Sequence, residues 1–309
     1  MPEILFAAPD LWPAYQDCLP RALTEAGIPA RLHCGDIAPD QVDYIVYAPS
    51  APLQDFTPFT RCRAVLSLWA GVERIVNNQS LTQPLCRMVD PSLTRGMVEW
   101  VTGHVLRHHL GMDAHIHNPQ HLWHATPPPL ASERRVTLLG LGELGQAAAH
   151  SLAQLGFDLT GWSRSPKELP HLRCLHGEAG LREALRGAEI IVTLLPRTPA
   201  TENILNAETL ALPAEGAVIL NPGRGALIDD AALIDALDAS RIGHATLDVF
   251  RIEPLAQDHP FWSHPKITVT PHIAAATRPM TASRVIVENI RRAETGLPLL
   301  YQVDRTQGY

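Results

Sequence analysis

The chain has 309 residues, 46% of them hydrophobic and 18% charged, with a formal charge of -7. That length is about twice an ordinary domain and points to two hydrophobic cores, and the apolar share excludes a disordered chain. The negative balance excludes a global positive field able to neutralise a nucleic-acid backbone, so an anionic ligand has to meet local arginines.

The N-terminus shows no basic stretch ahead of a long apolar one, and no run of about 18 apolar residues occurs, which predicts a soluble protein with no membrane partner. The cysteines Cys18, Cys34, Cys62, Cys86 and Cys174 are scattered, odd in number and never spaced C-x-x-C. They suggest reduced thiols in a cytoplasm, with neither a disulfide framework nor a thiolate metal site. Apolar runs at 3–8, 43–48 and 63–68, separated by helix-capable stretches around 11–26 and 72–78, read as a first small α/β domain. From 92 to 117 a helix is expected; 118–132 then holds four prolines and breaks regular structure. Short β-prone runs at 134–139, 157–162, 189–195, 217–220, 245–249 and 267–270, with helix-length segments between most of them, predict a parallel, doubly wound sheet. A final helix is expected over 279–294, and the tail after Gly296 is placed back on the first domain. The fold expected is thus an α/β Rossmann domain at 97–279 beside a smaller flavodoxin-like α/β domain built from 1–96 and 280–309.

Gly140-Leu141-Gly142-Glu143-Leu144-Gly145 follows a strand and opens a helix, the context that makes a G-x-G-x-x-G pattern a dinucleotide fingerprint. The glycines allow a tight turn and close approach of a pyrophosphate, and the helix N-terminus supplies amides. At the end of the next strand, where an acid would hold the ribose hydroxyls of NAD, stands Gly161-Trp162-Ser163-Arg164-Ser165. With no carboxylate to repel a 2′-phosphate and with Arg164, Ser163 and Ser165 to meet it, NADPH is expected over NADH, which stays possible. A solvated turn that happens to contain arginine is the plainer alternative. Leu195, Pro196, Pro222, Gly223, Asp248 and Ala274 also fall at or beyond strand ends and are counted with the cofactor site.

Three later segments, Asn221-Pro222-Gly223-Arg224-Gly225, Asp248-Val249-Phe250-Arg251-Ile252-Glu253-Pro254 and Pro271-His272-Ile273-Ala274-Ala275-Ala276-Thr277, place polar residues in such strand-end positions. Singly, Arg224 reads as well as a salt-bridge partner, Glu253 as a loop acid and His272 as a structural histidine. Hydride addition to a keto carbon, however, builds negative charge on oxygen and needs a positioned cation and a proton donor, which Arg224 and His272 supply. A carboxylate beside His272 favours its protonated form.

This order of motifs resembles the D-isomer-specific 2-hydroxyacid dehydrogenase family over nearly the whole chain. The stretch 161–165 and the tail Gln302-Val303-Asp304-Arg305 ending in Gly308-Tyr309 look most like its glyoxylate/hydroxypyruvate reductase A branch. The resemblance implies that Arg224 holds the substrate carboxylate and keto oxygen, that His272 is the acid/base and that Glu253 pairs with it. It implies further that Asp248 and the backbone after His272 fix the nicotinamide carboxamide. It lays the substrate carboxylate on the loop Leu68-Trp69-Ala70-Gly71-Val72, with Trp69, Ala70 and Gly71 as substrate contacts, and it implies a homodimer. Formate dehydrogenase relatives carry glutamine where Glu253 stands, which argues against their chemistry here. The expected reaction is reduction of a small 2-keto acid, glyoxylate or hydroxypyruvate. The alternatives are a different or bulkier D-2-hydroxy acid and a non-catalytic NAD(P)(H) sensor; a methyltransferase reading of the glycine motif does not account for Arg224, Glu253 and His272.

His104, His108, His109, His115, His117, His121 and His124 crowd one region, and His104 and His108 stand four apart on the expected helix. No carboxylate or cysteine completes a ligand set at the usual spacing, so no metal is expected. Glu99 and Trp100 on that helix are expected to be structural.

Overall fold

The structure, a computed structural model, describes residues 1–123 and 125–308. His124 of the histidine-rich segment and Tyr309 of the tail lie outside the described residues. The chain forms two compact units, Met1–Leu93 with Ala276–Tyr309, and Thr94–Ala275. The crossings at 93/94 and 275/276 lie three and four residues ahead of the boundaries expected at 96/97 and 279/280.

In the first unit, parallel strands β1 (Glu3–Phe6), β2 (Arg31–His33), β3 (Tyr44–Tyr47), β4 (Ala64–Ser67) and β5 (Leu85–Cys86) take the order β2-β1-β3-β4-β5. This is the flavodoxin-like order. Helices α1 (Trp12–Tyr15) and α2 (Cys18–Glu25) follow β1. α2 buries Leu19, Ala22 and Leu23, one apolar stripe at helical spacing. The C-terminal helix Pro279–Glu294 buries Ile286 and Ile290 in the same core as Ile4, Phe6 and Ile45.

The expected helix at 72–78 is not formed; the segment is a succession of turns. Val72, Ile75 and Val76 are buried at helical spacing, but long-range hydrogen bonds hold the segment. Arg305 of the tail donates to the carbonyls of Val76 (3.0 Å), Asn78 (2.7 Å) and Leu81.

The second unit opens with α3 (Pro91–His109), whose first three residues belong to the first unit, and α4 (Met112–Ile116). The single helix expected over 92–117 is therefore two. Gly111 separates them at φ 62, a left-handed conformation that glycine adopts without cost and that a helix cannot continue through.

The sheet contains β6 (Arg135–Leu139), β7 (Asp158–Ser163), β8 (Arg173–His176), β9 (Ile190–Thr193), β10 (Ala217–Asn221), β11 (Ile242–Leu247) and β12 (Ile267–Val269), all parallel, in the order β12-β11-β10-β9-β6-β7-β8. Between them run α5 (Glu143–Gln154), α6 (Gly177–Leu185), α7 (Ala207–Leu210) and α8 (Asp230–Asp238). One face packs Val136, Leu138 and Val192 against Val101, Val105, Ala148 and Leu152 of α3 and α5. The other packs Leu139, Ile191 and Ile219 against Leu185 of α6 and Leu233 and Leu237 of α8. Burial on both faces is why these strands read as unbroken apolar runs. Strand order reverses between β6 and β9, the switch point at which doubly wound sheets bind ligands beyond their carboxyl ends.

Candidate active site

The glycine loop sits at the end of β6. Gly140 has φ +108, and a Cβ there would stand 2.5 Å from the Leu194 carbonyl oxygen, so only glycine allows the loop to lie against the end of β9. A Cβ on Gly145 would overlap the Gly140 carbonyl, which is the close packing of α5 on the loop. Gly142, by contrast, faces open space, with nothing within 4 Å of its Cβ position. It is the N-cap of α5 and has no side chain to cap it, so among the described residues the first amides of α5 have no side-chain acceptor. Glu143 and Leu144 are its first helical residues. An open cradle lined by helix N-terminal amides fits a pyrophosphate.

Ser163 closes β7, 7% exposed, and its hydroxyl donates to the Ser165 carbonyl at 2.7 Å. Arg164 and Ser165 are exposed. Leu195, buried beside Gly140, and Pro196, whose carbonyl accepts from Thr201 Oγ1 at 2.7 Å, follow β9.

The loop bearing Arg224 is organised by Asn221, a residue whose role the sequence pattern does not reveal. Asn221 is 1% exposed; its Oδ1 accepts from Thr193 Oγ1 (2.6 Å) and Gly223 N–H (3.1 Å), and its Nδ2 donates to the Arg224 carbonyl (3.0 Å). Pro222 and Gly223 are buried in this turn. Arg224 is half-buried and its Nη1 donates to the Gly223 carbonyl at 2.7 Å. A Cβ on Gly225 would overlap the backbone of Phe250 and Arg251, so the Arg224 loop and the loop leading to Glu253 touch backbone to backbone.

His272 Nδ1 lies 2.7 Å from Glu253 Oε2, and Glu253 Oε1 accepts from the Phe250 N–H at 2.9 Å. His272 has φ 53, and its N–H is shared between the carbonyls of Asp248 (2.8 Å) and Thr270 (3.0 Å). Asp248, 1% exposed, accepts through Oδ1 from Thr270 Oγ1 (2.6 Å) and Ile273 N–H (2.9 Å) and through Oδ2 from Ala274 N–H (3.0 Å). A carboxylate has about four acceptor sites, so Asp248 and the amides after His272 are largely committed to each other. Arg251 adds a brace to the same loop through Asn203 Oδ1 and the Ile228 carbonyl. His272 and Glu253 are thus presented by a loop held at several points by its own hydrogen bonds.

In the first unit, Trp69 is 37% exposed; its N–H donates to Ser67 Oγ (3.1 Å) and its carbonyl accepts from Met88 N–H (3.0 Å). Among the described residues, the N–H groups of Ala70, Gly71 and Val72 donate to no protein acceptor. Successive amides without protein acceptors are available to an anion such as a carboxylate.

Of the crowded histidines, His109 is buried edge-on to Phe157, while His104 packs at a tilt against Trp100, with ring centroids 4.3 Å apart, and His108 Nε2 lies 3.0 Å from Thr246 Oγ1. His115, His117 and His121 are exposed.

Residues 102–274 match the model of the D-isomer specific 2-hydroxyacid dehydrogenase NAD binding domain. The chain belongs to that family. This dehydrogenase is 36% identical over 284 residues to the glyoxylate/hydroxypyruvate reductase A of Yersinia enterocolitica, covering 89% of its own length and 90% of that protein. It is 35% identical to a protein of the same name from Klebsiella pneumoniae, over 99% of its own length and 100% of the relative. Among solved structures, it resembles a D-isomer specific 2-hydroxyacid dehydrogenase from Xanthobacter autotrophicus Py2 in complex with NADPH and MES, with TM-score 0.91 and 39% identity over 100% of this chain and 99% of that one. An NADPH-dependent glyoxylate/hydroxypyruvate reductase from Sinorhizobium meliloti in complex with NADP and sulfate follows at TM-score 0.85 and 32% identity, each chain covered in full. Two-domain α/β architecture with a Rossmann fold and an oxidoreductase activity on 2-hydroxy acids are therefore established for the dehydrogenase.

Proposed function

We propose that the protein is a cytoplasmic homodimer that uses NADPH to reduce a small 2-keto acid, glyoxylate to glycolate or hydroxypyruvate to glycerate. The observation that carries this reading is the His272–Glu253 pair at 2.7 Å on a loop pinned by Asp248. Two relatives solved with NADPH or NADP support the cofactor, as does the serine, in place of an acid, at the end of β7.

When bound, NADPH supplies a hydride to the keto carbon. The protein has to bind the acid, hold the developing oxygen charge and deliver a proton. Arg224 is assigned the carboxylate and keto oxygen, because its planar fork never loses its charge. The amides of Ala70, Gly71 and Val72, beside Trp69, are assigned the substrate carboxylate. Glu253 accepts a hydrogen bond from His272 Nδ1–H, and the imidazolium form of His272 gives its Nε2 proton to the oxygen, leaving a neutral ring that keeps its Nδ1 proton. Asp248 is the positioning residue that fixes the backbone of His272, with one acceptor site left for a carboxamide. Gly140, Gly142, Glu143, Leu144 and Gly145 hold the pyrophosphate; Leu195, Pro196, Pro222, Gly223 and Ala274 line the same ends of the sheet.

Loss of NADPH absorbance should be rapid with glyoxylate and hydroxypyruvate and slow with phenylpyruvate; turnover confined to the bulkier acid would keep the reaction and overturn the substrate. The bulkier acid and the non-catalytic sensor are thereby separated, since the sensor would be silent with every acid. Replacing Ser163 with Asp should lower the NADPH over NADH preference by about tenfold or more, through like-charge repulsion of the 2′-phosphate. An unaltered ratio of kcat/KM values would remove this strand end from cofactor selection.

The dimer is supported by a run of exposed apolar side chains: Ile116 (67%), Leu122 (49%), Trp123 (94%) and Leu130 (70%). Large apolar side chains exposed this close together along the chain suit an interaction surface. Sedimentation equilibrium should return a dimer that Trp123→Ser and Leu122→Ser together weaken; a wild-type monomer at micromolar concentration would refute it. The five cysteines are all free, in keeping with a reducing compartment, and among the described residues no helix is long and apolar enough to cross a membrane.

A further inference from the structure

One side chain joins the turn after β7 to the glycine loop after β6. Lys167 is half-buried, and its Nζ donates to the Leu141 carbonyl oxygen at 2.9 Å. The same oxygen accepts from Gln146 Nε2 at 2.9 Å. A trans peptide is planar, with its C=O and N–H pointing in opposite directions. Fixing the Leu141 oxygen toward Lys167 and Gln146 therefore turns the Gly142 N–H the other way, away from those two side chains.

Ser163 contributes differently from what the sequence suggests. A hydroxyl has one proton to donate, and that of Ser163 goes to the Ser165 carbonyl at 2.7 Å from a side chain that is 7% exposed. A phosphate dianion only accepts, so Ser163 in this arrangement offers it no donor. An ammonium has three N–H donors, of which Lys167 uses one on Leu141, leaving two at the edge of the same turn that carries Arg164.

We propose that Lys167 is a specificity-determining residue of the cofactor site, which reads the 2′-phosphate together with Arg164 while holding the Leu141–Gly142 peptide in place, and that Ser163 shapes the turn without donating to the phosphate. The inference rests on the reading of this site as one for NADPH. It deepens that reading by naming the second cation and by placing it in contact with the pyrophosphate loop.

The test is equilibrium titration of the full chain, by calorimetry, with ADP-ribose 2′-phosphate and with ADP-ribose. The wild-type protein should prefer the phosphorylated probe. Lys167→Met should lower that preference about tenfold, the usual weight of a hydrogen bond to a charged group. Lys167→Gln, which retains a donor for the Leu141 oxygen and lacks the charge, should lose the preference to a similar degree while binding ADP-ribose nearly as the wild type does. Ser163→Ala should move both probes alike. A wild-type preference that survives both lysine variants, or is lost in Ser163→Ala alone, overturns the proposal and leaves the NADPH reading standing. A wild-type protein with no preference between the probes overturns both.

Discussion

Replacing His272 with alanine should lower kcat by about 10² or more while leaving the affinity for NADPH nearly unchanged, the usual scale for loss of a general acid. The structure gives reasons to expect a chemical and not a structural loss. The loop around His272 is held by its own backbone and by Asp248, through Thr270, Ile273 and Ala274, none of which involves the imidazole. The backbone of His272 is left-handed at φ 53, a region that costs alanine roughly 1 kcal/mol. Asparagine tolerates that region, so His272→Asn separates the loss of the proton donor from strain and should be equally slow. Glu253→Gln keeps an acceptor for Nδ1 but removes the charge, and should cost less than either. Single-turnover kinetics with NADPH and glyoxylate would measure all three; undiminished hydride transfer in His272→Asn would end its assignment as the acid.

How much of this was legible beforehand depended on whether the decisive contacts were local. The strands of the second unit announced themselves because both faces of Val136–Leu139 and Ile190–Val192 are buried. The outer strands β2 and β8, Arg31–His33 and Arg173–His176, carry charged and half-exposed side chains and left no apolar signature, and two-residue β5 is too short to leave one. The apolar spacing at Val72, Ile75 and Val76 imitates a helix, while Arg305, more than two hundred residues away, fixes that segment as turns. Within the site, the types and order of Arg224, Glu253 and His272 were readable from strand-end motifs. The residues that hold the surrounding loops were not: Asn221 acts through Thr193 and Gly225 through Phe250 on the Arg224 loop, Lys167 acts through Leu141 on the glycine loop, and each contact exists only once the strands lie side by side.

The buried histidines of α3 and β11 have a different consequence, acid lability. His108 is pushed down to about 3, first by burial and then by the neighbouring His244 and Arg107, and His244 is pushed down to about 4, first by burial and then by Arg107. Their rings lie 4.9 Å apart, with Thr246 against His108 and Thr268 against His244, and Arg107, Asp113, His104 and His264 complete the charged surroundings. Both imidazoles are neutral in the folded protein. In the unfolded chain they take up protons near pH 6.5, so between that pH and their folded values the unfolded state binds more protons. Stability from this source is complete above about pH 6.5 and falls as the pH drops. At pH 5 the difference is on the order of 2 kcal/mol from His108, and less from His244, where solvent screens more. About 3 kcal/mol lowers the Tm of a unit this size by roughly 6–12 °C. Scanning calorimetry should show that drop between pH 8 and pH 5. His108→Gln combined with His244→Gln, which preserves hydrogen-bonding groups for Thr246 and Thr268 and cannot titrate, should flatten the pH dependence of Tm over that range. A slope as steep in the double variant as in the wild type would place the acid sensitivity elsewhere in the molecule.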